Sequence, residues 1–103
     1  MEVKGKKFDQ QKPMWHLLPF RQLTKVVEVL TFGAAKYGEN DWQHFVSKNK
    51  NENRYLSAAM RHLTARMNGE ANDEETGKPH LAHAVCCLLF VMWKDDHERL
   101  RSR

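Results

Sequence analysis

Cysteine is scarce in this 103-residue sequence, and the two present, Cys86 and Cys87, are adjacent. Neighbouring residues on a helix point about 100° apart, so this pair does not readily close a disulfide, and no cross-linked framework exists. A reduced, cytoplasmic setting is the expectation. Long apolar runs are missing too. The longest, Leu81 to Trp93, is broken by His83 and falls short of the roughly 20 residues that span a bilayer. No signal-peptide hydrophobic region opens the chain, so a soluble intracellular protein with no membrane partner is expected. Strand alternation, an internal repeat, a P-loop and a zinc-finger spacing are all missing. There is also no single basic helix. The formal net charge of +4 is spread over both ends and the middle, and diffuse positive charge serves a free nucleoside triphosphate as well as a polymer.

What remains is enough for one folded domain. The sequence is 41% hydrophobic with three Trp and five Phe, too rich for disorder, and its length supports one small core. Residues 1–18 read as a Lys-rich arm and 19–103 as a helical domain. Pro19 suits a first helical turn. Leu23, Val26, Val27, Leu30, Ala34 and Tyr37 then keep helical spacing until Gly38. Residues 39–52 read as a polar loop anchored by Trp42 and Phe45. Asn53 is positioned to cap a second helix whose apolar face is Leu56, Ala59, Met60, Leu63 and Met67, with Gly69 as its stop. After an acidic turn Pro79 opens a third helix, apolar almost all round from Leu81 to Trp93, then charged after Lys94 and fraying at the end. The expectation is an all-α fold, three main helices in a small bundle. The third helix is expected to be buried on most sides, which in so short a chain calls for completion by a second copy, as a homodimer or homotetramer.

The chemistry concentrates where the second helix turns into the third. His80 and His83 stand at i and i+3 on one helical face. An antiparallel return brings His62 near them, and Glu70 and Asp73 occupy the connection. Such a set suits a divalent ion, its oxygens favouring Mg²⁺ or Mn²⁺ and its imidazoles widening the choice. Free N–H groups at the start of the third helix favour a phosphate. Each residue taken singly has a structural reading: a histidine flanking an apolar stripe packs or caps, and acids before a helix are ordinary dipole partners. Taken together, and with Arg61 beside His62, they make a site the better reading. Elsewhere, Lys36 and Tyr37 end the first helix. Trp42 either stacks on a base or pins its loop. Asp9 and Lys12, in "KFDQQKP", either close over a ligand or are merely solvated.

The stretches "KFDQQKP", "FGAAKYGENDW", "RHL", "GEANDEETG" and "HLAHA", in that order, resemble a family of small phage and bacterial dATP/dGTP diphosphohydrolases. That family is itself similar to the all-α MazG-like nucleotide pyrophosphohydrolases. The resemblance runs from Lys7 to about Trp93, and "GEANDEETGKPHLAHA" is its most specific part. It implies metal-dependent hydrolysis of a purine deoxynucleoside triphosphate to monophosphate and pyrophosphate, by a homo-oligomer in the cytoplasm (the host's, for a phage protein). The family pattern falls on Asp9, Lys12, Lys36, Tyr37, Trp42, Arg61, His62, Glu70, Asp73, Thr76, Gly77, His80 and His83. Two departures stand out. Cys87 occupies a place where a small amide is expected, and the EExxE and ExxD motifs of the better-known MazG-like enzymes are absent, so their ligand set does not transfer. The expected metal ligands are Glu70, Asp73, His62 and His83. Lys12, Lys36 and Arg61 are expected on phosphates, Asp9 and Trp42 on substrate, and His80 in proton transfer beside Glu70 and Asp73. Two alternatives are a non-catalytic nucleic-acid or regulator-binding module, with nucleic acid the less favoured partner, and a phosphohydrolase of different specificity, such as a monophosphatase.

Overall fold

A computed structural model of the chain describes residues 12–101. A single 3₁₀ turn, Trp15–Leu17, precedes four α-helices: α1 (Phe20–Tyr37), α2 (Asp41–Val46), α3 (Asn51–Met67) and α4 (His80–Arg101). Among the described residues the one β feature is an isolated bridge between Asn72 and Pro79. The fold is all-α, built on three long helices as expected.

The short helix α2 lies where the sequence reading has a loop. Three of its six residues are polar, but Trp42 and Val46 are four apart and share a face. Val46 is fully buried, and the Trp42 ring stacks on Phe90 at 4.3 Å and meets Trp93 edge-on at 5.2 Å. Tertiary packing of those side chains holds a helix that its propensity does not. α3 starts two residues before Asn53. The Asn51 side-chain amide donates to the Phe45 carbonyl at 2.8 Å and so fastens α3 to the end of α2. At its far end Gly69 takes φ +94°, the left-handed turn that stops the helix as expected.

All three other helices pack on α4, and its residues sort by angle around the axis. Ala82 and Cys86 meet Val26 of α1, with Leu23, Val29, Leu30 and Phe90 around them. Ala84 and Cys87 meet Ala59, Tyr55 and Ala58 of α3. The small residues at the α3–α4 crossing let the two helix backbones approach closely. The sequence turns charged after Lys94 and its end, "RLRSR", is expected to fray; α4 continues to Arg101. Lys94 is itself buried, its ammonium 2.9 Å from Glu52 at the start of α3 and 2.8 Å from Glu98 one turn on.

The expectation that the third helix is buried on most sides is not met within one chain. Leu81, Val85, Leu88 and Met92 of α4 are exposed, as are Leu56, Met60, Leu63 and Met67 of α3. Both sets follow i, i+4, i+7, i+11 spacing. By helical position they lie together on the face of the α3–α4 hairpin that α1 and α2 leave open. None of the described helices is long and apolar enough to cross a membrane.

Candidate functional site

The connection between α3 and α4 is zipped by its own backbone. The Asp73 N–H donates to the Lys78 carbonyl at 2.8 Å, Gly77 N–H to the Asp73 carbonyl at 2.8 Å, and His80 N–H to the Ala71 carbonyl at 2.9 Å. Gly77 turns the chain at φ +70°, where a side chain is costly. The arm carrying Glu70 and Asp73 is thereby laid beside the first turn of α4, and α3 supplies His62 from below.

Thr76 organises the turn. Its backbone N–H donates to Asp73 Oδ1 at 3.0 Å, and its hydroxyl lies 3.3 Å from the same oxygen. Lys78 N–H donates to the hydroxyl at 3.1 Å, while the hydroxyl sits 2.7 Å from His83 Nε2. A hydroxyl has one proton to give, and the shortest contact, to the imidazole lone pair, is the natural recipient. The His83 ring then stacks on His62 with centroids 4.6 Å apart. His62 Nδ1 and His80 Nδ1 are 2.8 Å apart. One nitrogen of each ring and one Asp73 carboxylate oxygen all lie within 4.8 Å of one another.

The electrostatics favour the unprotonated forms of His62, His83 and Asp73. Burial, with the charges of His83 and His80 next, pushes His62 below the ordinary imidazole pKa; burial also lowers His83, against the pull of Asp73. For Asp73 burial acts upward, but the Thr76 N–H, His83 and the Thr76 hydroxyl outweigh it and hold the carboxyl below its usual range. Unprotonated imidazoles beside an ionised carboxylate are what a cation needs. One further atom fits: His80 Nε2 is buried and has no hydrogen-bond partner among the described residues, with Glu70 Oε2 3.5 Å away. The donor set fits a divalent cation, with His62, Asp73 and His80 closest together and Glu70 and His83 flanking them.

A cavity of about 450 Å³ adjoins the cluster, within the range of small-ligand sites. Leu30 and Phe32 of α1, Trp42 and Phe45 of α2, Tyr55 of α3 and Phe90 of α4 give it an aromatic lining. Thr76 and His83 line the cavity and also touch the cluster, Thr76 through Asp73 and His83 through the His62 ring. At the mouth Lys36 donates to Glu75 Oε2 at 2.6 Å, a contact that raises the lysine's pKa. Trp42 thus pins α2, one of the two roles its sequence position suggests, and it also lines the cavity.

The other expected residues are more scattered. Asp9 lies outside the described residues. Lys12 is exposed and lines neither cavity nor cluster. Arg61 is exposed on the outer side of α3, where it donates to Ser57 Oγ at 3.1 Å in a shallow depression shared with Asn53 and Arg54. Sequence reasoning passed over Glu75, Tyr55 and Phe90. Tyr55 stands four residues before buried Ala59 and Phe90 seven after His83, spacings that put each on the face already singled out.

The all-α domain thus sets an imidazole–carboxylate cluster beside a ligand-sized cavity. Residues 2–103 match the model of the dATP/dGTP diphosphohydrolase N-terminal family, and the chain belongs to that family. A protein of Salmonella phage PMBT28 named dATP/dGTP diphosphohydrolase is 37% identical over 89 residues, which are 86% of this chain and 29% of that relative. The chain therefore spans less than a third of that relative's length. No solved structure matches.

Proposed function

We propose that this chain hydrolyses purine deoxynucleoside triphosphates, dATP and dGTP, to monophosphate and pyrophosphate with the help of a divalent metal ion. The observation that carries the reading is the shared wall. Thr76 and His83 join the aromatic cavity, suited to a nucleoside, to a cation cluster suited to its phosphates. Family membership and the name of the phage relative support the same chemistry.

His62, His80 and Asp73 would hold the ion. A bound divalent ion, Mg²⁺ or Mn²⁺ by the family's likeness, supplies neutralisation of phosphate charge and makes a water molecule more acidic. The chain's own groups do the rest. The aromatic walls exclude water from the base and sugar. Lys36 exchanges Glu75 for a phosphate oxygen at the mouth and orients the chain of phosphates. Water oxygen bonds to the α-phosphorus as the bond to the β-phosphate breaks, and the water's proton passes to the departing pyrophosphate. Pyrophosphate leaves, and the monophosphate keeps the base in the cavity until release. A homodimer follows from the eight exposed apolar residues of α3 and α4. Two such faces, at heptad-like spacing, close into a four-helix arrangement that removes the patch from water.

The test is a panel of deoxynucleoside triphosphates with Mg²⁺ and with Mn²⁺, reading both products. Pyrophosphate and monophosphate are expected from dATP and dGTP, and Asp73→Asn is expected to lose most turnover while staying folded. Inorganic phosphate in place of pyrophosphate would move the chain to another phosphohydrolase class. No turnover together with DNA retention would make it a binding module.

A further inference from the structure

The cluster's donors differ from those Mg²⁺ prefers. That ion takes oxygen ligands in near-ideal octahedral geometry and keeps several waters. Here two of the three convergent atoms are imidazole nitrogens, His62 Nδ1 and His80 Nδ1, 2.8 Å apart, and only Asp73 brings oxygen. Asp73 Oδ1 accepts from the Thr76 backbone N–H, which holds the carboxylate beside the two rings.

His80 carries the argument further. Its residue is only 7% exposed, and burying an imidazole N–H with no acceptor is costly. An imidazole that ligates through Nδ1 must carry its proton on Nε2. That atom is the buried, unpartnered one, and it faces Glu70 Oε2 at 3.5 Å. Carboxylate to histidine to metal is the arrangement that fixes a ligand's tautomer and strengthens it as a donor. Glu70 then belongs behind His80, outside the ligand set. On the other flank His83, engaged through Nε2 by Thr76 and stacked on His62, acts as a wall that limits rotation of the His62 ring. Three protein ligands with room for water or substrate is the pattern of catalytic sites for nitrogen-preferring ions.

We infer that this cluster is a site for a first-row transition-metal ion of the Zn²⁺ and Co²⁺ kind, held by His62, His80 and Asp73 with Glu70 behind His80, in preference to Mg²⁺. The inference rests on the metal-binding half of the function proposed above and does not require the hydrolysis. Nitrogen donors rank divalent ions in the order Mn²⁺ < Fe²⁺ < Co²⁺ < Ni²⁺ < Cu²⁺ > Zn²⁺, while Mg²⁺ gains little from them.

Co²⁺ is the probe, because its visible absorption reports the ligands directly. Chelator-treated full-length protein is titrated with Co²⁺, by absorption and by calorimetry. One ion per chain is expected, with intensified visible bands that Zn²⁺ abolishes and a thousand-fold excess of Mg²⁺ leaves in place. His62→Gln, His80→Gln and Asp73→Asn should each weaken Co²⁺ by more than about 100-fold, and Glu70→Gln by roughly 10–100-fold. His44→Gln, on the exposed side of α2, should change nothing. Circular dichroism establishes that each variant is helical, and where His80→Gln does not fold, His62→Gln and Asp73→Asn decide. Displacement of Co²⁺ by equimolar Mg²⁺, or unchanged Co²⁺ affinity in folded His62→Gln and Asp73→Asn, would overturn the inference. Nucleotide assays separate it from the function. Co²⁺ binding as described without dNTP hydrolysis removes the proposed activity alone. Hydrolysis indifferent to the histidines, with no Co²⁺ signature, removes this inference alone.

Discussion

Thr76→Val isolates the residue that joins the loop, the cluster and the cavity. Valine keeps the branched shape and removes only the hydroxyl. That hydroxyl engages His83 Nε2 at 2.7 Å and the Lys78 N–H at 3.1 Å, with a longer contact to Asp73 at 3.3 Å. A neutral hydrogen bond contributes about 1 kcal/mol net. Two good ones at a half-buried site, with the long third counted as negligible, put the loss at about 2 kcal/mol. In a domain of this size that corresponds to a Tm lower by roughly 8–16 °C. The same change frees the His83 ring that stacks on His62, so Co²⁺ affinity should fall by roughly 10–100-fold, as for other residues that orient ligands. Thermal unfolding by circular dichroism and Co²⁺ titration read the two effects separately. Thr24→Val is the control: its exposed hydroxyl donates only to the Phe20 carbonyl one turn back, and a change within about 0.5 kcal/mol is expected. If Thr76→Val melts and binds Co²⁺ like the unmodified protein, the turn is not organised by this hydroxyl. A loss of stability with unchanged Co²⁺ affinity would leave Thr76 as a staple of the loop that does not act on His62 through the His83 ring.

Metal-free protein should lose stability in acid: His62 and His83 have folded-state pKa values below the ordinary 6.5, so the unfolded chain binds more protons there and stability rises with pH. Urea midpoints should therefore be flat above pH 6.5 and decline as pH falls through the lower folded values, and a rising midpoint toward pH 5 would contradict the burial argument. Burial pushes the Cys86 thiol up to about 12 and raises Cys87 as well, so iodoacetamide at pH 8 should label neither in the native protein and both after denaturation; native labelling at the unfolded rate would refute this. Leu63→Glu with Leu88→Glu, both on the exposed apolar face, should convert the assembly to a 12.1 kDa monomer by light scattering. An unmodified protein already monomeric at micromolar concentration would remove the homodimer from the proposal.

The long helices were legible because their apolar residues repeat with helical spacing and glycines mark two of their ends. α2 was not, because its helicity depends on where Trp42 and Val46 find partners, and Phe90 and Trp93 lie far from Trp42 in the sequence. The same holds for the end of α4. "KDDHER" looks like a solvated tail until Glu52 from α3 arrives beside Lys94, at which point a buried ion pair extends the helix. The apolar excess of α4 was visible, but periodicity cannot say whether a face is covered by the same chain. Leu81, Val85, Leu88 and Met92 remain exposed because the nearest available surface, α3, spends its small residues on the other side.

The candidate site divides along the same line. That histidines and acids gather at the α3–α4 turn follows from sequence distance alone, since a short connection leaves few places for them to go. Which atoms meet does not, because it depends on the rotation of α4 and on a loop pairing, Asp73 with Lys78 and Ala71 with His80, that carries no motif. Spacing makes His80 and His83 equivalent, three apart on one face. In the fold they separate: His80 Nδ1 meets His62, while His83 is held by Thr76 and becomes a wall of the cavity. The positive groups show the opposite effect. Lys12, Lys36 and Arg61 look interchangeable as phosphate anchors, yet only Lys36 stands at the cavity mouth. Its partner there, Glu75, is supplied by the same turn that carries Asp73, so an incoming phosphate must displace a carboxylate bonded at 2.6 Å. In the proposed reaction, substrate entry and the order of this turn would be coupled through five residues, Asp73 to Gly77. That coupling is a property of the folded loop, and no single residue type in the sequence announces it.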